Sequence, residues 1–281
     1  MERTGQLAEV RSSRGIVEGL MASWDELVGS PGFKVHSTGT GAREGRSRTE
    51  AQTVLIMAYA THVHETARLL IDCLPDRLTV AHAPLIRSMF ETTMTLAWVD
   101  EVDDGAEALL TEETRQRRNL ARGLREIGDA ENAARIRHQE DQELDTSSLA
   151  QGRHFEQLAK DVGLENAYTT YRVLSSLAHP SIQVADSYLD SEDGDQLFLR
   201  SRGRALSHGA KDGWGHLIAM CLVWSGYAAN YLDPDRTRRS ELRRVARELG
   251  VSAELPIRLE AIQRVERQRR EARRRASGVR Q

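Results

Sequence analysis

Long segments in which apolar residues recur every three to four positions occupy most of this sequence, and that spacing is typical of amphipathic helices. Proline breaks helices and occurs only 6 times in 281 residues, whereas the helix formers Ala, Leu, Arg and Glu are abundant. Hydrophobic residues make up 40% of the chain, which is sufficient for a sizeable core. The sequence therefore predicts an all-α protein built as an up-and-down helical bundle.

Composition divides the chain into three predicted parts. Residues 1–48 contain an N-terminal helix followed by a flexible loop rich in Gly and Ser. Residues 49–232 form the core of the bundle, which a strongly polar helical excursion interrupts at 100–146. Residues 233–281 form arginine-rich helices, although the whole chain carries a formal net charge of −3. This overall charge excludes a globally basic nucleic-acid binder.

Cysteine usage and hydropathy indicate the cellular compartment of the protein. Cys73 and Cys221 lie far apart in apolar helical segments, which favours reduced core cysteines. No apolar run reaches the ~18 residues of a membrane span, and no stretch resembles a signal peptide. The chain contains no helical metal-binding pattern and no cofactor motif. We therefore expect a cytoplasmic protein without membrane contact, metal or cofactor.

The stretch from Tyr168 to Tyr188 combines helical periodicity, unusual polar residues and a helix breaker. On a helical wheel its apolar residues, including Tyr171, fall on one arc. The opposite arc carries small or functional polar residues in place of the usual Glu and Lys: Tyr168, Arg172, Ser175, Ser176 and His179. Arg172 and His179 are seven positions apart, so they share one stripe. Pro180 disfavours helical geometry at His179, which we expect to end the helix or to sit at a kink.

Two preceding helices supply further candidate residues. In the helix predicted at 79–100, Arg87 and Glu91 are four apart and can pair among apolar neighbours, so we expect the pair to be partly buried. In the helix predicted at 49–74, His62 falls in the middle of the apolar face. Each group has two interpretations, which are a structural contact between helices and a functional site.

These residues carry a family resemblance. The pattern Arg87-x3-Glu91, followed by Tyr171-Arg172-x2-Ser175-x3-His179-Pro-Ser, resembles a family of bacterial helical proteins of unknown function. More distantly it is similar to the HEPN superfamily of small helical bundles. Many members of that superfamily are RNases of toxin–antitoxin and defence systems, and they carry an arginine followed after four to six residues by a histidine. Here six residues separate the two, and Val173 stands where those RNases usually have Asn, Asp or His.

The HEPN resemblance implies a metal-independent endoribonuclease that acts on RNA as a homodimer. In that interpretation His179 is the general base or acid. Arg172 holds the scissile phosphate and stabilises charge in the transition state. Ser175, Ser176 and Tyr168 contact phosphate oxygens. The same resemblance implies an antitoxin or another protein as a partner.

A second interpretation is non-catalytic. The residues concerned form one buried polar network that sets the register of the helices: His62, Arg87, Glu91, Tyr171, Ser175 and His179. The protein is then a scaffold or sensor that acts by binding protein or nucleic acid. The two interpretations differ in exposure, because a catalytic Arg172 and His179 must line an open groove, whereas a structural pair is buried against Arg87 and Glu91.

Overall fold

The computed structural model describes residues 11–31, 33, 35, 48–137, 144, 146–192, 196–206 and 212–278. The loop rich in Gly and Ser that the sequence predicts before residue 49 therefore lies largely outside the described residues. Within them the chain forms twelve α-helices and one two-stranded sheet, which confirms an all-α fold. Among the described residues, none of the helices combines the length and the apolarity needed to cross a membrane.

The helices are α1 (Ser13–Gly29), α2 (Glu50–Leu70), α3 (Ala83–Glu101), α4 (Gly105–Glu126), α5 (Ala130–Arg137), α6 (Leu149–Arg153), α7 (Phe155–Asp161), α8 (Ala167–Ala178), α9 (Ile182–Asp186), α10 (Gly213–Asn230), α11 (Arg239–Glu248) and α12 (Leu259–Gly278). Short 3-10 turns at Ile71–Cys73 and Val80–His82 join α2 to α3. Strands β1 (Leu189–Glu192) and β2 (Gln196–Leu199) form an antiparallel hairpin in which Leu189 faces Leu199.

The centre of the bundle is the mutual packing of α2, α3 and α10, with α1 against α10 and α8 against α3. Helix α10 is apolar on nearly every side and is buried along most of its length, because helices surround it. Large side chains such as Phe90, Trp98 and Leu222 fill the core. This arrangement leaves the outer face of α8 and one side of α3 at the surface.

The start of α2 is fixed by local hydrogen bonds. Thr49 Oγ1 accepts from the Gln52 backbone N–H at 3.1 Å, and Gln52 Oε1 accepts from the Thr49 N–H at 2.9 Å, which together form a capping box. Gln52 Nε2 then donates to the Val99 carbonyl at 3.0 Å. Just before this cap, buried Arg48 pairs with buried Asp100 at 2.5 Å. These contacts set α2 against α3.

The predicted position of His62 is wrong. The buried stripe of α2 contains Ile56, Ala60, Val63, Ala67 and Leu70, and the buried histidine is His64. His62 lies outside this stripe and is exposed. The helix is rotated relative to the predicted apolar face, because the small Ala60 and Ala67 side chains allow α10 and α3 to pack closely on that side.

The polar segment predicted as a solvated excursion is anchored to the bundle at its ends. Asp104, just before α4, accepts hydrogen bonds from the Thr146 and Ser148 hydroxyls at 2.9 and 2.7 Å, and from both the N–H and the hydroxyl of Ser147 at 2.8 Å. On α4 the carboxylate of Glu112 is bound by Arg115, which holds its pKa down at about 2.

The arginine-rich C-terminal helices also pack on the bundle. On α12, Ala261 and Val265 are buried, and Arg264 donates to both carboxylate oxygens of Asp161 at 3.0 and 2.7 Å. Asp161 accepts a third hydrogen bond from the Trp98 indole at 2.9 Å. The first half of α12 is therefore held to the core, where charge composition alone indicated a solvated helix.

Candidate functional site

The candidate site lies where α3 packs beside α8. Helix α8 ends at Ala178, and His179 takes the C-cap position with an extended backbone, φ −111° and ψ 155°. Its N–H still donates to the Ser175 carbonyl at 3.2 Å. The prediction that His179 ends the helix before Pro180 is confirmed. The extended backbone turns the chain at this point towards α3.

Arg87 on α3 connects the residues of the site. Its Nε donates to Glu91 Oε1 at 3.0 Å, and its Nη2 donates to the Tyr171 hydroxyl at 3.1 Å. Its Nη1 donates to Nε2 of His179. The guanidinium carbon also lies 5.0 Å from the centre of the Tyr171 ring. We call Arg87, Glu91, Tyr171 and His179 the Arg87 cluster.

The Arg87 cluster is partly open to solvent. The side chains of Arg87 and Glu91 are 19% and 31% exposed, so the predicted partial burial of this pair is confirmed. Tyr171 is half-buried and His179 is exposed. A guanidinium has only donors, so the nitrogen of His179 that faces Arg87 carries no proton and offers its lone pair. The site therefore presents an imidazole whose acceptor nitrogen is held by a cation.

Aromatic packing sets the position of Tyr171. Its ring centre is 4.5 Å from that of Phe155 on α7 and 5.9 Å from that of Tyr168, one turn earlier on α8. Phe155 in turn contacts Phe90 at 6.2 Å. The Tyr168 hydroxyl donates to Glu156 at 3.4 Å and lies outside the hydrogen bonds of the Arg87 cluster. Rings from three helices thus hold the Tyr171 hydroxyl against Arg87.

Arg172 does not join His179 in a hydrogen-bonded pair. Both side chains are exposed, and the arginine bound to His179 is Arg87. Within the part of the chain that the structure describes, no hydrogen bond or ion pair involves Arg172. It is near enough to Glu156 to help lower the pKa of that carboxyl, which Lys160 lowers most. The guanidinium of Arg172 is therefore available to a ligand.

The two serines of α8 do not reach the Arg87 cluster. Ser176 Oγ lies 2.8 Å from the Val173 carbonyl and 2.9 Å from Gln183 Oε1, and the Ser176 carbonyl accepts from the Ser181 hydroxyl. These contacts brace the turn from α8 to α9. Ser175 is half-buried, and its carbonyl accepts from the His179 N–H.

His62 lies at the edge of the site. Its Nε2 is 3.5 Å from the hydroxyl of Ser88, the residue after Arg87 on α3. This is the upper limit of a hydrogen bond. The expected inclusion of His62 in one buried network with Arg87 is wrong, because the side chain is exposed on α2.

A groove that the sequence pattern does not predict lies between α8 and the first turns of α10. This groove has a volume of about 410 Å³, and the residues lining it are Thr169, Thr170, Val173, Gly213, Trp214, His216, Leu217 and Met220. The aromatic side chains of α10 are buried in the core, and that of Trp214 also lines the groove. Such a groove depends on how two distant segments meet, so periodicity within either one does not predict it.

The described residues contain no group of three or more His, Cys, Asp or Glu side chains that could hold a metal ion.

Cys73 and Cys221 are free thiols, and burial raises the pKa of Cys221 to about 12. Nε2 of His82 lies 3.3 Å from Cys73 Sγ, but Nδ1 of His82 accepts from the Thr79 N–H at 2.9 Å. That acceptor role leaves the proton on Nε2, so His82 is not placed to take a proton from Cys73.

A comparison with protein-family models matches residues 53–197 to DUF5677, a family of unknown function. This range contains the whole of the Arg87 cluster. Neither the search of curated proteins nor the search of solved structures returned a match.

Proposed function

The chain belongs to the DUF5677 family, whose function is unknown, and from the exposed His179 that Arg87 holds we propose that it is a HEPN-like, metal-independent endoribonuclease. The observation that carries this proposal is the pairing of an accessible imidazole with a partly exposed guanidinium. Imidazole is the side chain best suited to move protons near neutral pH, because its ordinary pKa is about 6.5. A guanidinium is the side chain best suited to bind a phosphodiester.

The contact between Arg87 and His179 suggests how substrate activates the site. A phosphate oxygen is a stronger acceptor for Arg87 Nη1 than a neutral imidazole, because the bond is charge-assisted. Binding of RNA therefore frees His179 Nε2, which accepts the proton of the ribose 2′-hydroxyl. The 2′-oxygen bonds to phosphorus and the bond from phosphorus to the 5′-oxygen breaks. The products are a 2′,3′-cyclic phosphate and a 5′-hydroxyl end.

The leaving 5′-oxygen needs a proton from a second acid. One copy of His179 has just become protonated and lies on the side of the attacking oxygen, so it is poorly placed to donate. A homodimer in which the protonated His179 of a second copy faces the leaving oxygen balances the two proton transfers. The proposal therefore includes a dimer with two Arg87 clusters at one cleft.

Arg172 has a supporting role in this proposal. Its guanidinium is exposed and has no ion-pair partner among the described residues. It follows Tyr171 directly on α8, so it is suited to hold a neighbouring phosphate of the strand. By resemblance to HEPN toxins, we further propose a cytoplasmic toxin or defence protein that an antitoxin or another protein restrains.

The test is incubation of the purified full-length protein with total RNA in EDTA. We expect cleavage by the wild type and loss of cleavage in His179→Ala, Arg87→Ala and Arg172→Ala, with cyclic phosphate ends in the product. His216→Ala is the matched control, because His216 is also exposed but lines the groove beside α10. Helical circular dichroism monitors folding. Cleavage retained by His179→Ala, or none by the wild type, would contradict the proposal.

One observation favours a non-catalytic scaffold or sensor. Each nitrogen of Arg87 already has an acceptor within the protein, and these bonds tie α3 to α8. A cluster that serves only to hold helices together gives a different result in the same experiment. His179→Ala then lowers the unfolding temperature, while wild type and variant both leave RNA intact.

A further inference from the structure

A second groove, with a volume of about 520 Å³, lies along α11 where the chain returns after that helix. Its polar lining consists of Tyr227, Arg243, Arg247, Ser252 and Glu254. It shares no residue with the Arg87 cluster or with the groove beside α8. Its size falls within the range of small-molecule sites, about 300–1,000 Å³.

The arginines along one stripe of α11 form no close ion pairs among the described residues. Arg239, Arg243 and Arg247 follow one another at four-residue spacing, so they lie on one stripe of the helix and repel each other. Among the described residues, none of the three forms an ion pair with a carboxylate. On the neighbouring stripe of the same helix, Arg244 and Glu248 pair at 3.4 Å.

Glu248 also binds Arg11 of the N-terminal region at 2.5 Å. Helix α11 thus neutralises the charge of one stripe and leaves like charges side by side on the stripe that borders the groove. An anion in the groove would relieve this repulsion, whereas water only screens it.

Tyr227 adds a directed donor at the edge of this stripe. It is nearly fully buried, and its hydroxyl oxygen accepts from Arg243 Nε at 3.1 Å. Burial opposes ionisation of this phenol, but hydrogen bonds from Tyr231 and Arg243 outweigh burial and lower the pKa of Tyr227. Because Tyr231 is the donor in the hydrogen bond between the two hydroxyls, the proton of Tyr227 is left for a ligand oxygen.

Glu254 is the one carboxyl group that lines the groove. Burial and then the charge of Asp100 raise the pKa of Glu254, while Arg243 and Arg239 act in the opposite direction. The raised pKa means that Glu254 takes up a proton more readily than an ordinary glutamate when an anion approaches. Once protonated, it is a hydrogen-bond donor and no longer repels the anion.

We propose that this groove binds the terminal phosphate of a small phosphate monoester. Arg243 and Arg247 supply guanidinium donors, and Tyr227 and Ser252 supply hydroxyl donors. A terminal phosphate is a dianion with three free oxygens, which matches this set of donors better than a phosphodiester with two free oxygens and one charge. The inference does not depend on the proposed RNase activity.

The test is a calorimetric titration of the full-length protein with inorganic phosphate, with ionic strength matched by chloride. We expect saturable binding that Arg247→Gln weakens at least about tenfold, the loss of one charge-assisted contact. Arg247 is exposed and donates only to the Arg243 carbonyl at 3.3 Å, so this variant is expected to fold. Arg244→Gln is the matched control, because Arg244 lies outside the lining of the groove and pairs with Glu248, so this variant should bind phosphate as the wild type does.

A second variant tests the role of Glu254. Glu254→Gln keeps a hydrogen-bonding group but removes the negative charge, so it should bind phosphate several-fold more tightly at neutral pH. Three outcomes would overturn the proposal. The first is that phosphate gives no more binding heat than chloride at the same ionic strength. The second is that Arg244→Gln and Arg247→Gln weaken phosphate binding equally. The third is that Arg243 and Arg247 bind single-stranded RNA while the protein does not bind inorganic phosphate.

Discussion

Arg87 and His179 are 92 residues apart in sequence, and Nη1 of the arginine donates to Nε2 of the histidine. This hydrogen bond ties the second turn of α3 to the residue at which α8 ends. His179 has an extended backbone, which a residue within the helix does not have. This conformation turns its side chain away from the axis of α8. Arg87 and His179 are therefore one unit in both proposed functions.

The Arg87 and His179 side chains should show coupling in stability. We expect a double-mutant cycle of Arg87→Met and His179→Ala to give an interaction of about 1 kcal/mol in the free energy of unfolding, the usual net value of one hydrogen bond. Urea denaturation of the four proteins measures it. A cycle of Arg172→Met with His179→Ala is the control and should give a value near zero, because Arg172 does not bind His179. Equal coupling in both cycles would contradict the arrangement.

Tyr171 should stabilise the same contact through its hydroxyl alone. Tyr171→Phe removes the acceptor of Arg87 Nη2 but keeps the ring against Phe155, so we expect a loss of about 0.5–1.5 kcal/mol. Tyr168→Phe removes a longer bond, 3.4 Å to Glu156, on the same helix. Thermal unfolding should show a clear decrease for the first variant and almost none for the second. The reverse order would mean that the Arg87 bond does not form.

The parts of the site that local spacing determines were predictable from the sequence. Arg87 and Glu91 pair because residues four apart are neighbours on a helix. His179 ends α8 because Pro180 follows it. Spacing alone places Arg172 and His179 on one stripe of a continuous helix. Because α8 ends at Ala178, His179 leaves that stripe and contacts Arg87.

Contacts between distant segments were outside the reach of the sequence. Periodicity gave α2 as a helix but not its rotation, which depends on where the small alanines let neighbouring helices approach. This is why His62 was expected inside and His64 is the buried residue. Likewise, the charge pattern of α12 indicated a solvated helix, because Asp161, the partner of Arg264, is 103 residues away.

The attachment of α12 gives a third prediction. Asp161→Asn leaves Arg264 partly buried without its carboxylate and removes the acceptor charge near the Trp98 indole. We expect a loss of about 2–3 kcal/mol in stability, typical of hydrogen bonds to a charged group. Amide hydrogen exchange along the first half of α12 should increase. Glu266→Gln is the control, because Glu266 forms an exposed ion pair with Arg270 at 3.7 Å, and such pairs contribute little.

His64 is a buried histidine whose effect on the stability of the folded protein depends on pH. Its ring stacks on Trp24 with centroids 4.2 Å apart, and Arg238 lies over the Trp24 ring at 5.5 Å. Nδ1 of His64 bonds to the Ala60 carbonyl at 2.7 Å, while Nε2 has no partner among the described residues. Burial, and then the nearby positive charge of Arg238, lower the pKa of His64 to about 3. The folded protein therefore keeps this imidazole neutral under mildly acidic conditions.

Stability should consequently fall as the pH decreases below the ordinary histidine pKa of about 6.5. Between that value and about 3, the unfolded chain binds a proton at residue 64 and the folded chain does not, so each pH unit favours unfolding by up to about 1.4 kcal/mol. Between pH 7 and pH 5 we expect this histidine alone to remove about 2 kcal/mol. His64→Phe keeps an aromatic ring against Trp24 and should lose that part of the pH dependence in urea denaturation. His62→Phe, at an exposed position, should retain it, and equal pH dependence in both variants would refute the assignment.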